Sequence, residues 1–203
     1  MQNFEYDAAI RASGFPVLCG VDEAGRGPLA GPVFAAAVVF PDGVEIPYIN
    51  DSKKLSEKRR EELFGIICDR ALTFGIGSAS VEEIDTYNIL QADFMAMRRA
   101  VAQLDRLPSL ILVDGNLVPP ELPAEAKSIV KGDALSASIA AASILAKVSR
   151  DRYMLQLNEQ YPQYRFDKHK GYGTALHYEM LNTYGISPVH RRTFLKKWMG
   201  EER

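Results

Sequence analysis

Apolar and polar residues fall in blocks along the chain, and the blocks differ in period. Residues 15–22, FPVLCGVD, are a short apolar run that ends on an acid pair, Asp22 and Glu23. A run of this length bounded by turn residues predicts a strand. Residues 32–40, PVFAAAVVF, are apolar almost throughout and predict a second, buried strand, closed by the turn at Pro41-Asp42-Gly43. Ser56 is an N-cap for a helix over 57–70, EKRREELFGIICDR. ALTFGIGSAS, 71–80, fits a strand with glycines. Ser80 and Glu83 then form an S-x-x-E capping box that opens a helical region running to about Arg106.

SLILVDGN, 109–116, is a β-rich run that again ends on an acid, Asp114. A proline-rich crossing leads to a strand at 126–130, AKSIV, and then to Lys-Gly-Asp, ending at Asp133. From Leu135 to about Asn158 the period is helical, with small residues that suit close packing. Residues 161–174 read as loop, followed by a short helix over 175–184 and the segment GISPVHRRTF. The first two strands make a hairpin and later strands alternate with helices. That order predicts an α/β fold, a mixed central sheet covered by helices. No repeat or linker divides the 203 residues. The expectation is one domain, 1–203, with a basic helical segment from about residue 159.

Composition narrows the class. The two cysteines, Cys19 and Cys68, each lie in an apolar segment and read as reduced core residues of a cytoplasmic protein. The N-terminus lacks a basic start followed by an apolar stretch, and the longest apolar runs are about half the ~18 residues of a spanning helix. Net charge is −2, which argues against a general nucleic-acid binder, but the charge is unevenly spread. Residues 147–203 hold 11 Lys and Arg against 6 Asp and Glu, and all three histidines, while residues 1–146 carry a net −7. Carboxylates for cations in front and bases for phosphates behind suit a metal-dependent enzyme acting on a polyanion. Chance clustering on solvated helices gives the same count.

Three strand ends carry acids: Asp22 with Glu23, Asp114, and Asp133. In open α/β sheets sites form at strand ends, where loops converge. Carboxylates meeting there need a compensating charge, and oxygen-only ligands suit Mg²⁺ or Mn²⁺. Plain turn chemistry would also explain Asp114-Gly115-Asn116 and Gly132-Asp133. Successive strand residues point to opposite faces, so Asp22 and Glu23 can share a site only if the strand breaks between them. The loop that follows, GRGPLAG, is neither a Walker loop nor a dinucleotide fingerprint. It remains a turn that lets main chain and Arg26 approach a ligand, with Gly25 and Gly27 free of Cβ.

Taken in order, GVDEAGRGPLAGPV, NDSKKLS, EEIDTYNI, VDGN, VKGD, SIAAASILAKVSRDR, HKGYGT and HRRTF resemble bacterial ribonuclease HII, a type 2 ribonuclease H, from about residue 16 to 195. The resemblance implies the ribonuclease H fold, with a five-stranded mixed sheet. It implies endonucleolytic cleavage of the RNA strand of RNA–DNA hybrids, and of DNA duplexes containing single ribonucleotides, leaving 3′-hydroxyl and 5′-phosphate ends. Asp22, Glu23, Asp114 and Asp133 would be the catalytic acids that hold two divalent ions. Gly25, Arg26 and Gly27 would read the 2′-hydroxyl and its phosphate, and Tyr172 would stack on the next sugar. Lys53, Lys147, Lys170 and Arg191 are further candidates for phosphate contacts, or else solvated surface charges. A monomer without membrane contact is expected. The Gly-Arg-Gly loop differs from the Gly-Thr-Gly of ribonuclease HIII, and the chain is expected to lack the latter's added N-terminal domain and a longer C-terminal helical extension. A DNA nuclease of the same fold, or a silent nucleic-acid-binding module, are the rival readings.

Overall fold

Five strands form one mixed sheet in the order β3-β2-β1-β4-β5. β1 (Leu18–Ala24) and β2 (Val33–Val39) pair antiparallel, as do β2 and β3 (Thr73–Ala79), while β4 (Leu110–Asp114) runs parallel to β1 and β5 (Ala126–Ile129) parallel to β4. The computed structural model describes residues 2–49 and 55–201. Alternation along β2 sets both core layers. Val33, Ala35, Ala37 and Val39 join Cys19, Val21 and Ile111 against α4 (Ile89–Val101). Ala36 and Val38 face α2 (Glu57–Arg70) and α6 (Ala137–Gln160) on the other side. A strand buried on both faces needs the unbroken apolar run seen at 32–40. Both cysteines are free thiols, and burial pushes that of Cys19 up to about 12.

The 24-residue α6 lays its alanine-rich half across β1 and β2. The spacing is set at Gly20, where a Cβ would fall 2.1 Å from the Ser138 carbonyl carbon and 2.3 Å from Ile139 N. Backbone cannot yield there as a side chain could. Gly20→Ala is therefore expected to cost about 3 kcal/mol, an overpacking penalty at the upper end. Urea unfolding checks it, and near-native stability would show that helix and sheet can separate cheaply.

Several boundaries differ from the sequence expectation. The capping box is present: the Ser80 hydroxyl accepts from Glu83 N at 3.2 Å, and Glu83 accepts from Ser80 N at 2.9 Å. The helical region it opens is cut in two, α3 (Val81–Tyr87) and α4, at Asn88. Asn88 takes a positive φ of 69° and caps α4 with its side chain, accepting from Leu90 and Gln91. An N-terminal helix, α1 (Gln2–Ala12), was not apparent in the sequence. It is held by tertiary contacts: buried Asp7 accepts from Ser138 N and Oγ at 2.9 and 2.7 Å, at the start of α6.

A single turn, α5 (Gly132–Leu135), follows β5. The tail read as loop holds a 3₁₀ turn (Pro162–Tyr164) and α7 (Phe166–His169), before α8 (Ala175–Tyr184) and α9 (Arg192–Met199). No helix among the described residues is long and apolar enough to cross a membrane.

Candidate active site

The last paired residues of β1 and β4 are Val21 and Val113, so Asp22 and Asp114 come next, side by side at the sheet end. The break expected between Asp22 and Glu23 does not occur. β1 stays paired with β2 through Asp22, Glu23 and Ala24. What changes is the other edge, because β1 outruns β4 there and both faces open onto one end. Asp22 Oδ1 accepts the Glu23 N–H at 2.7 Å, and Asp114 Oδ1 accepts the Gly132 N–H, also at 2.7 Å. That second bond ties the α5 turn to β4 and brings buried Asp133, the next residue, to the same end.

Burial pushes the proton affinity of Asp22 well up, and the carboxylates of Glu23 and Asp114 push it further, while a hydrogen bond from Ser143 on α6 opposes them. Glu23 is raised by burial and by Asp114, against the pull of Arg26. Like charges in a low-dielectric site favour protons or cations between them. Among the described residues no three acids, imidazoles or thiols close into a metal cage. The acids form an open cluster.

Asp93 on α4 belongs to this cluster and was missed in the sequence. It is buried, it lines the same cleft as Glu23, Arg26, Asp114 and Asn116, and its Oδ2 lies 3.5 Å from Arg26 Nε. Burial, with Glu23 adding and Arg26 opposing, pushes its pKa up to about 8. A lone acid at an otherwise apolar position of a helix face was its only trace.

Arg191, read in the sequence as a candidate for a phosphate contact or a solvated charge, is turned inward instead. It is fully buried, and its guanidinium donates to the carbonyls of Gly31, Arg26 and Gly25 at 2.9, 3.0 and 2.7 Å. Arg150, equally out of solvent, donates to Pro32, Ala30 and Lys170. Burial lowers both, to about 9 and about 10, so both stay cationic at neutral pH. The glycine loop is thus wrapped on two buried cations. A Cβ on Gly25, at φ +99°, would sit 2.1 Å from Arg150 Nε, which is why glycine stands there.

Arg26 itself points outward, its side chain 48% exposed, between Glu23 at 3.7 Å and Asp93. A Cβ on Gly27 would stand 4.0 Å from Tyr172 Cε1, so the loop and Tyr172 are neighbours. Tyr172 is 43% exposed, not buried. Lys147 donates to Asp151 at 2.7 Å and Lys170 to the Asp167 carbonyl at 2.7 Å, so both are engaged within the chain. Lys53 lies outside the described residues.

A family model described as ribonuclease HII matches residues 19–197. Ribonuclease HII of Marinomonas sp. (strain MWYL1) is 57% identical over 178 residues, covering 88% of this chain and 89% of its own. The crystal structure of ribonuclease H2 from Pyrococcus horikoshii OT3 superposes with a TM-score of 0.76 at 29% identity, over 92% of this chain and 98% of that one. Bst-RNase HIII in complex with Mn²⁺ superposes with a TM-score of 0.67 at 17% identity, over 88% and 64% of the two chains, a likeness of fold. The sheet order, the helices on both faces and these matches place the molecule in the ribonuclease H-like fold. The chain belongs to the ribonuclease HII family, endoribonucleases that act on the RNA strand of RNA–DNA hybrids.

Proposed function

We propose that the chain cuts not only long hybrids but also DNA duplexes holding a single ribonucleotide, on its 5′ side, leaving 3′-hydroxyl and 5′-phosphate ends. The observation that carries this reading is the open acid cluster at the ends of β1 and β4, set against a loop packed beside an exposed tyrosine.

The donor set fits divalent cations. It offers oxygen only, Asp22 and Asp133 are buried and Glu23 and Asp114 half-buried, and the Glu23 and Asp114 charges raise the proton affinity of Asp22, so a cation between them relieves the repulsion. Asp22, Glu23, Asp114 and Asp133 would hold two ions, Mn²⁺ or Mg²⁺; an open cluster leaves coordination places for substrate phosphate. Such ions, when bound, make water a better nucleophile at neutral pH and offset charge at the leaving oxygen.

The remaining work belongs to the chain. Gly25 and Gly27 let main chain approach the ribose, and Arg26 is held over the acids by Glu23 and Asp93, ready for the phosphate beside the 2′-hydroxyl. Tyr172 offers a face to the next sugar. Arg150 and Arg191 act from behind, aligning the loop carbonyls and lending positive potential to a surface that meets phosphate. The chain would work as one catalytic domain, a cytoplasmic monomer.

An end-labelled duplex with one ribonucleotide, incubated with Mg²⁺ or Mn²⁺ beside an all-DNA control, tests the reading. One cut 5′ to the ribonucleotide and an intact control are expected. Equal cutting of the all-DNA duplex, or none of either, would overturn it.

A further inference from the structure

The three histidines, His169, His177 and His190, are all buried in the C-terminal segment, and no step above uses them. Their rings lie together: His169 and His177 stack at 4.3 Å between centroids, and His190 is 5.2 Å from His177. Phe166 and Tyr164 wall the group with ring edges, at 5.7 Å from His177 and 4.7 Å from His190.

The main-chain partners of these rings assign the tautomers, because an amide N–H only donates and a carbonyl only accepts. The Ser187 amide lies 3.0 Å from His190 Nδ1. An amide N–H only donates, so Nδ1 is unprotonated and the neutral ring carries its hydrogen on Nε2. The Ser187 hydroxyl lies 2.7 Å from the same nitrogen. His190 Nε2 faces His177 Nε2 at 3.0 Å, so His177 accepts there. Its own hydrogen is therefore on Nδ1, which donates to the Tyr172 carbonyl at 2.9 Å. Burial lowers the pKa of both imidazoles to about 4, in keeping with neutral rings.

The chain of donors ends on the main chain of one residue. Tyr172 N donates to the His169 carbonyl at 2.9 Å, and Thr174 N joins His177 on the Tyr172 carbonyl at 2.8 Å. Next door, Gly171 N donates to His169 Nδ1, and Gly171 O accepts from Leu29 N in the glycine loop. Tyr172 is thus pinned at both backbone ends while its ring stays exposed.

We infer that His190 and His177 are positioning residues, a one-way hydrogen-bond relay that holds Tyr172 in place for substrate. The inference rests on the reading of Tyr172 as the stacking surface. Ordinary core histidines would need only burial, whereas this arrangement demands the Nδ1–H form of His177, the less common tautomer of a free side chain.

Nitrogen-15 imidazole spectra of the full chain at pH 7 read the tautomers directly. His190 is expected as Nε2–H and His177 as Nδ1–H, both neutral; an Nε2–H or cationic His177 would overturn the relay. Two variants separate positioning from packing. His177→Asn sets an amide nitrogen where Nδ1 was and keeps the donor to Tyr172, while His177→Gln sets it at Nε2 and loses that donor. On a single-ribonucleotide duplex, His177→Gln should raise KM about tenfold with kcat little changed, and His177→Asn should stay within about threefold of wild type. Equal rises in both would make the histidine merely structural and sink the proposal. Tyr172→Ala, run alongside, judges the stacking reading by itself. An unchanged KM there would remove the surface the relay serves, whereas a raised KM with equal histidine variants would reject the relay alone.

Discussion

Asp114→Asn should lower the rate of single-ribonucleotide cleavage by about a thousandfold or more, and at the same time leave the protein slightly more stable. The activity loss follows from charge. Asp114 stands beside Asp22 at the end of the parallel pair, and its carboxylate is one of those whose mutual repulsion calls for cations. Removing one charged group that acts on the developing charge of a reaction costs about 10²–10³ in rate, and more where metal affinity falls with it. The stability gain follows from the same geometry. The asparagine carbonyl can still accept the Gly132 N–H, so the tie between β4 and the α5 turn survives. One negative charge leaves a partly buried group of like charges, which relieves Asp22 and Glu23. Single-turnover cleavage and a thermal melt measure both halves. Activity within tenfold of wild type would remove Asp114 from the reaction, and a large drop in melting temperature would make it a structural residue instead.

The acids were legible because strand ends are marked by composition: an apolar run stops, a carboxylate follows, and glycine turns the chain. The Ser80–Glu83 box was legible for the same reason, since both partners lie within one turn. What escaped the sequence is non-local. Asp22 and Glu23 share an end because β1 outruns β4, and no residue within β1 records the length of β4. The helix over residues 2–12 owes its place to Asp7 meeting Ser138, 131 positions away. Asn88 ends one helix and caps the next, a double use that reads as an ordinary helical polar residue until its φ is seen.

Arg191 shows the limit most sharply, because a basic residue in a basic segment invites a phosphate and this one meets carbonyls 160 to 166 positions back. Arg191→Lys is accordingly expected to cost about 3–5 kcal/mol, the usual cost of breaking a buried charged network. A guanidinium presents separate nitrogens in a fixed fork, and here Nε, Nη1 and Nη2 each take a different carbonyl, of Gly31, Arg26 and Gly25. One ammonium cannot stand in three places, so two carbonyls lose their donor and a buried cation loses most of its solvation. For a chain of this size the melting temperature should fall by roughly 10 °C. Activity should fall with it, because the loop that carries Arg26 is the part left unsupported. Arg26→Ala is the contrast: its side chain is half exposed, so it should impair cleavage while leaving the melt near wild type. Salt dependence of substrate binding then separates the two arginines. Losing a phosphate contact lowers the slope of log affinity against log salt by about one, the change expected for Arg26. Arg191→Lys, measured below its melting range, should leave that slope unchanged. A stable Arg191→Lys protein with a reduced salt slope would return Arg191 to the nucleic-acid surface, against its burial and its three carbonyl partners.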